Sequence, residues 1–309
     1  MKRLPAKAIF LAVLCNILFG SAIPAIKKGY ELFSINDLYS KILFAGVRFF
    51  ISGVLVLIFA AMTKKKFPAV KKENLTNVLL LAITYTFLQY LFNYIGLSNT
   101  SGSISSIITS CSSFISVILA HFIYKDDKIN SRKLIGTLLG IGGVLLAVLS
   151  GIEQRGFSLF GEGFVFISAF CFVVGSVINK KATALDDNFT VTAYNLLIGS
   201  SLLIAVGLCG YKGGITVTPA GMFILLHLVA VSSVGFTLWS ILLKNYQIGS
   251  LGIFTCIIPI SGGIISGILL GENIFSLKFI LAVLLVSTGI LVINTRRRAK
   301  AQILKMLED

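Results

Sequence analysis

The chain has 309 residues, of which 56% are hydrophobic and only 13% charged, whereas a soluble globular protein carries about 25% charged residues. This excludes an ordinary cytosolic protein, and apolar runs that recur from Ala8 to Thr295 leave no polar stretch long enough to fold outside a bilayer. The net charge of +15, from 27 Lys and Arg against 12 Asp and Glu, is read as loop charge that orients a membrane chain, so no nucleic-acid partner is expected.

Windows of about 20 apolar residues predict an all-α polytopic membrane protein with spans at 8–26, 42–62, 76–97, 103–123, 133–150, 160–179, 190–210, 220–242, 250–270 and 276–295. The first run, behind Lys2, Arg3 and Lys7 and ahead of Gly20-Ser21-Ala22, has the outline of a secretory signal. It continues through Ile26, however, and the rest of the chain needs it to complete an even number of spans. This span carries Asn16, one turn before Gly20, and Pro24. Span 2 contains Arg48, the deepest charge in any run, about six residues or roughly 9 Å from the outer edge at 1.5 Å per residue.

Span 3 places Tyr85, Gln89 and Asn93 at intervals of four, a phenol and two carboxamides on one stripe. Carboxamides facing lipid would be costly, so they face protein or a wet cavity, where a group that both donates and accepts suits a zwitterionic or uncharged polar solute. Span 4 is rich in hydroxyls, with Ser106, Thr109 and Ser113 among two overlapping rows that make one broad polar face. Such a face serves either close helix packing through small residues or a cavity wall. Gly136 and Gly140 in span 5 have packing spacing, as do Gly263, Gly267 and Gly271 in span 9. His227 in span 8 is a proton or solute contact if it acts at all, His121 and Trp239 are expected at the interfaces, and Pro259 is expected to bend span 9.

With the N-terminus in the cytoplasm, twenty Lys and Arg fall on the inside and six on the outside, which predicts both termini cytoplasmic in the cell membrane. A shift of 146 residues superposes spans 3, 4 and 5 on spans 8, 9 and 10, with Leu97 on Leu243, Ser103 on Gly249, Thr109 on Thr255, Asp126 on Glu272 and Gly143 on Gly289. The expected organisation is therefore a first five-span repeat at 1–150, a second at 151–297 and a basic cytoplasmic tail at 298–309. A repeat with an odd number of spans enters the membrane from opposite sides in its two copies. That inverted topology lets one bundle rock against the other around a midplane site.

Phe19-Gly20-Ser21 running to Lys27, Arg48-Phe49-Phe50 in span 2, and Pro259 ahead of Gly271-Glu272-Asn273 resemble the EamA-type members of the drug/metabolite transporter superfamily. The resemblance implies a basket of ten helices whose cavity is lined mainly by spans 1, 3, 4, 6, 8 and 9, and export or exchange of small metabolites such as amino acids. The first copy departs from the family pattern, because Ser113 stands where proline is usual. Since the resemblance puts span 2 beside the cavity, Arg48 is weighed first as a structural charge bonded to helix-end carbonyls or outer headgroups, and second as a counter-charge for a carboxylate or phosphate cargo.

No paired aspartates, nucleophile elbow or His-Glu-x-x-His occurs, so neither an enzyme, a metal site nor a cofactor is expected. The partners expected are a small-molecule substrate and the lipid bilayer; nothing in the sequence fixes an oligomeric state. Every acid lies in a loop or at a span end. Exchange or facilitated diffusion is therefore preferred to a proton-coupled antiporter, which usually needs an embedded carboxylate, and to a passive channel.

Overall fold

The computed structural model describes residues 5–65, 67–123, 129–155, 157–246, 252–274 and 276–294. Asp126, Gly249 and the tail 298–309 lie outside the described residues. Among the described residues, eight helical segments are long and apolar enough to cross a membrane: α1 Ala6–Leu32, α2 Leu38–Thr63, α3 Lys72–Ser98, α4 Gly102–Ile123, α5 Ser131–Leu149, α6 Leu159–Leu185, α7 Asn188–Cys209 and α8 Pro219–Leu242. Two shorter apolar helices follow, α9 Phe254–Leu270 and α10 Leu277–Ile293.

The helix starts have local chemical causes. Asp37 accepts from the Ser40 amide at 2.9 Å ahead of α2, and Asp187 accepts from the Thr190 amide at 3.0 Å ahead of α7; each satisfies an amide that the first turn leaves without a partner. α1 outruns its predicted end at residue 26 and stays helical through Pro24 to Leu32. Proline lacks the N–H that would bond four residues back, which frees the Gly20 carbonyl. That oxygen lies 3.1 Å from where a Cβ on Gly262 of α9 would be.

Three helices contain π-turns, α3 at Ala82–Leu88, α8 at Val231–Gly235 and α6 in its opening residues, Leu159–Gly163. Two others are irregular near one end: α4 breaks at Ser110 between Gly102–Thr109 and Cys111–Ile123, and α9 passes from a 3-10 turn, Gly252–Cys256, into α-helix at Ile257. The break at Ser110 occurs without the missing proline. Ser110 donates its amide to Ile107 and accepts from Ser113, both three-residue bonds that tighten the chain. Pro259, in turn, is the third residue of the α-helical part of α9, just past the junction with the 3-10 turn, where it lacks the N–H that would bond back into that turn.

α2 packs along α7 and α5 along α10; α1 crosses α9 and touches α8, while α6 receives α3 and α4. A bilayer supplies little hydrophobic drive between helices, so close approach through small residues decides these contacts. A Cβ on Gly20 would lie 2.9 Å from the Ile258 carbonyl, and one on Gly289 would lie 2.5 Å from the Gly136 carbonyl. Two of the evenly spaced glycines of α9 pack against side chains rather than against a helix backbone. Gly263 and Gly267 accommodate the Phe279 and Ile274 side chains, and Gly271 ends the helix in a left-handed conformation at φ 66°.

Candidate functional site

Arg48 is 1% exposed and is the largest of the fully buried side chains. From α2 its Nε donates to Ser232 Oγ on α8 at 3.2 Å and its Nη1 to the Tyr94 hydroxyl on α3 at 2.9 Å. The guanidinium carbon lies 4.3 Å from the Phe49 ring centre, 5.8 Å from that of Tyr90 and 6.0 Å from that of Tyr94. It thus reaches neither helix-end carbonyls nor headgroups; hydroxyl dipoles and ring faces surround it. Lys27 pairs with Glu272 and Lys28 with Glu31; neither pair involves Arg48. Removing an ion from water costs several kcal/mol, and cation–π contacts return about 0.5–2 kcal/mol each.

Tyr90 and Tyr94 face Arg48 from α3, while the expected stripe of Tyr85, Gln89 and Asn93, about 100° around the helix from them, divides. Tyr85 stacks on Phe172 of α6 at 5.2 Å and covers Gly175, at the π-turn that shifts the helix register. Gln89 and Asn93, one turn apart and each 8% exposed, stay in the interior. Gln89 Oε1 is buried without a hydrogen-bond donor. On α1, Asn16 donates to the Ala12 carbonyl at 2.7 Å, leaving its Oδ1 buried and unpartnered. His227 Nε2 lies 3.0 Å from Ser21 Oγ, joining α8 to α1.

The hydroxyl face of α4 is mostly turned on its own backbone. Ser106, Thr109, Ser110 and Ser116 each donate to the carbonyl four residues back. Ser106 also fills the space beside Gly262 of α9, and Ser113 Oγ meets Thr255 Oγ1 at 3.0 Å. Pro259 is buried in α9, the helix that α1 crosses.

One end of the bundle carries a charged cluster. Glu272, just beyond α9, accepts from the Gly102 amide at 2.7 Å, the Ser103 amide at 2.8 Å and the Ser103 hydroxyl. It caps α4 from a point 170 residues away in the chain. Lys27 of α1 donates to the Thr100 carbonyl at 2.6 Å and lies 3.9 Å from Glu272. Glu162 of α6 accepts from Thr100 Oγ1 at 2.6 Å and from the Ser158 amide at 3.0 Å. At the other end, Asp186 and the Ala182 carbonyl accept from Asn74, tying α6 to the start of α3, and Asn188 donates to Ser240 Oγ.

A small cavity lies among Tyr85, Asn179, Thr192, Asn195, Phe236, Trp239 and Ser240, so α7 contributes to its wall alongside α3, α6 and α8. Trp239, expected at an interface, is buried and meets the Phe19 ring edge-on at 6.2 Å. Asn179 and Asn195 are carboxamides inside apolar runs, the same signal that singled out Gln89 and Asn93, and they were legible on that ground. Tyr90, Tyr94 and Ser232 carried no comparable signal. No group of three or more metal-ligating side chains occurs among the described residues.

The model of the EamA-like transporter family matches residues 6–149 and 159–295. The chain is 24% identical to a probable amino-acid metabolite efflux pump of Salmonella typhimurium over 90% of this chain and 92% of that one. It is 26% identical to the uncharacterized transporter YetK of Bacillus subtilis over 76% of this chain and 73% of that one. A crystal structure with 16% sequence identity superposes with a TM-score of 0.66, covering 96% of this chain and 99% of the other, a likeness of fold.

Proposed function

Because the chain belongs to the EamA-like transporter family, within the drug/metabolite transporter superfamily, we propose that it moves small polar, amino-acid-like metabolites across the cell membrane. It acts as an exporter or exchanger by alternating access, on ten spans arranged as two inverted repeats. The family and the transporter names of its relatives point to transport rather than catalysis.

The observation that carries the mechanism is the helix pairing. Exchange each helix for the one five places on, and α2 with α7 and α5 with α10 map onto themselves, while α1 with α9 maps onto α6 with α4, and α1 with α8 onto α6 with α3. The π-turns of α3 and α8 and the breaks of α4 and α9 recur at about the same 146-residue shift. This pattern supports two equivalent bundles that rock about a shared centre. Lys27, Thr100, Glu162 and Glu272 all fall on the side that the loop charges assign to the outside, and all meet at one end, which supports placing them on one side of the membrane; the loop charges make that side the outer one. The cluster then acts as the closed outer gate.

Gln89, Asn93 and Asn16 offer polar atoms toward the interior without the embedded acid that proton-driven export commonly uses. The acids named above sit at the two ends of the bundle. Transport therefore follows the solute's own gradient, by exchange or facilitated diffusion. With Cys209, the exposed native thiol, replaced by serine, cysteines at Ser131 and Ser276 should react with a membrane-impermeant maleimide from opposite faces of the membrane, Ser131 from inside. Labelling of both from one face would overturn the inverted repeat.

A further inference from the structure

We propose that Arg48 is the carboxylate anchor of the cargo site, and that the carboxamide oxygens of Gln89 and Asn93 receive the cargo's ammonium group; the inference rests on the transporter reading above. The solute is then a compact zwitterion of the α-amino-acid type, held by both ends of its charge.

Two complementary deficits lead to this assignment. The first is a cation without an anion. Arg48 is fully buried, its hydrogen bonds go to the neutral hydroxyls of Tyr94 and Ser232, and the remaining contacts are ring faces. Nη2 donates to no described residue, which leaves it and one proton of Nη1 for the two-bond fork that guanidinium makes with a carboxylate. A purely architectural tie between α2, α3 and α8 needs only hydroxyls and amides; a buried guanidinium adds a desolvation cost that an anion offsets.

The second deficit is of donors. Gln89 Oε1 and Asn16 Oδ1 are buried acceptors without partners, and Asn93 adds a carboxamide one turn from Gln89. Native interiors rarely leave such atoms unpaired, and an ammonium supplies three donors. The two deficits meet on α3: Gln89 and Asn93 directly precede Tyr90 and Tyr94, about 100° around the helix, and those ring centres lie 5.8 and 6.0 Å from the guanidinium carbon. Ser232 brings α8 to the same point, with His227 five residues before it on that helix.

The test uses the full chain in liposomes, with each of the common L-amino acids and a set of small polar solutes without a carboxylate (polyols and amines) as probes in a counterflow assay, followed by the amide and the N-acetyl derivative of every amino acid carried. The expected result is that removing either charge weakens competition by about tenfold or more, as loss of charged hydrogen bonds requires, and that inorganic phosphate does not compete. Arg48→Lys keeps the charge but loses the fork, and should raise the half-saturating concentration of the amino acid about tenfold while leaving that of its amide within about twofold. Gln89→Leu should do the reverse, weakening the amino acid and its amide but not the N-acetyl derivative. Should Arg48→Lys fail to fold, the comparison of derivatives on the native chain decides alone. Equal competition by acid and amide would overturn the inference, as would competition by phosphate. Carriage of a solute without a carboxylate, with no amino acid carried, would overturn this inference and leave the transporter reading standing. Failure to carry any solute would remove both.

Discussion

Replacing Glu272 by alanine should open the end of the bundle where α4 begins. The carboxylate holds two backbone amides and a hydroxyl of α4 from beyond α9, with Lys27 of α1 beside it. Loss of a helix cap costs about 0.5–2 kcal/mol, and hydrogen bonds to charged groups are worth about 1.5–3 kcal/mol each, screened here because Glu272 keeps 17% side-chain exposure. A net shift of about 2 kcal/mol in the gate corresponds to about thirtyfold in its open fraction. A cysteine replacing Ser105, which is 1% exposed and lies one turn into α4, reports it. In purified protein the thiol should react about thirtyfold faster in the Glu272→Ala background, with Glu272→Gln intermediate because one acceptor oxygen survives. An unchanged rate in a folded Glu272→Ala protein would show that the cluster is not a gate.

Gly289→Leu should cost the protein its fold where Gly142→Leu does not. The Gly289 Cβ position lies 2.5 Å from the Gly136 carbonyl and 2.8 Å from the Gly140 amide, both backbone atoms that cannot rotate away. Overpacking in a close-packed interior costs about 1–3 kcal/mol, and more where backbone must move, so α5 and α10 separate. Gly142, on the same helix as Gly136, has nothing within 4 Å of its Cβ position. Thermal unfolding in detergent should fall sharply for Gly289→Leu and stay within a few degrees of the parent for Gly142→Leu. Equal melting of the two would mean that α5 and α10 do not pair as described.

Eight of the predicted spans were legible because hydropathy and length are nearly sufficient for a membrane helix, and the interior position of Gln89 and Asn93 because amides are rare and costly in such runs. The extension of α1 past Ile26 was not legible. Lys27 and Lys28 look like the start of a loop, yet the Lys27 amine finds the Thr100 carbonyl and the helix continues to Leu32. The cap of α4 by Glu272 joins residues 170 apart, so no local pattern announces it. Arg48 was visible as a buried charge, but its surroundings come from α2, α3 and α8 together, and a tyrosine in an apolar helix carries no sign that its hydroxyl will meet a guanidinium. The break in α4 was obscured for a different reason: the family's proline is absent at Ser113, and the turn is made by backbone bonds around Ser110 instead.

The central claim is that this chain carries a small metabolite down its own gradient by alternating access, and solute counterflow tests it most directly. Vesicles bearing the protein are loaded with a carried amino acid and diluted into a trace of the same compound in labelled form, with the proton gradient collapsed by an ionophore. The account predicts that the label accumulates transiently above its outside concentration, because the outward-facing site binds label and carries it in, while the excess unlabelled solute inside occupies the inward-facing site and slows the label's exit. It also predicts that His227→Gln leaves this accumulation within a few-fold of the original. Uptake that merely equilibrates would mean a channel, and accumulation that vanishes without the proton gradient would mean an antiporter; either result would contradict the account.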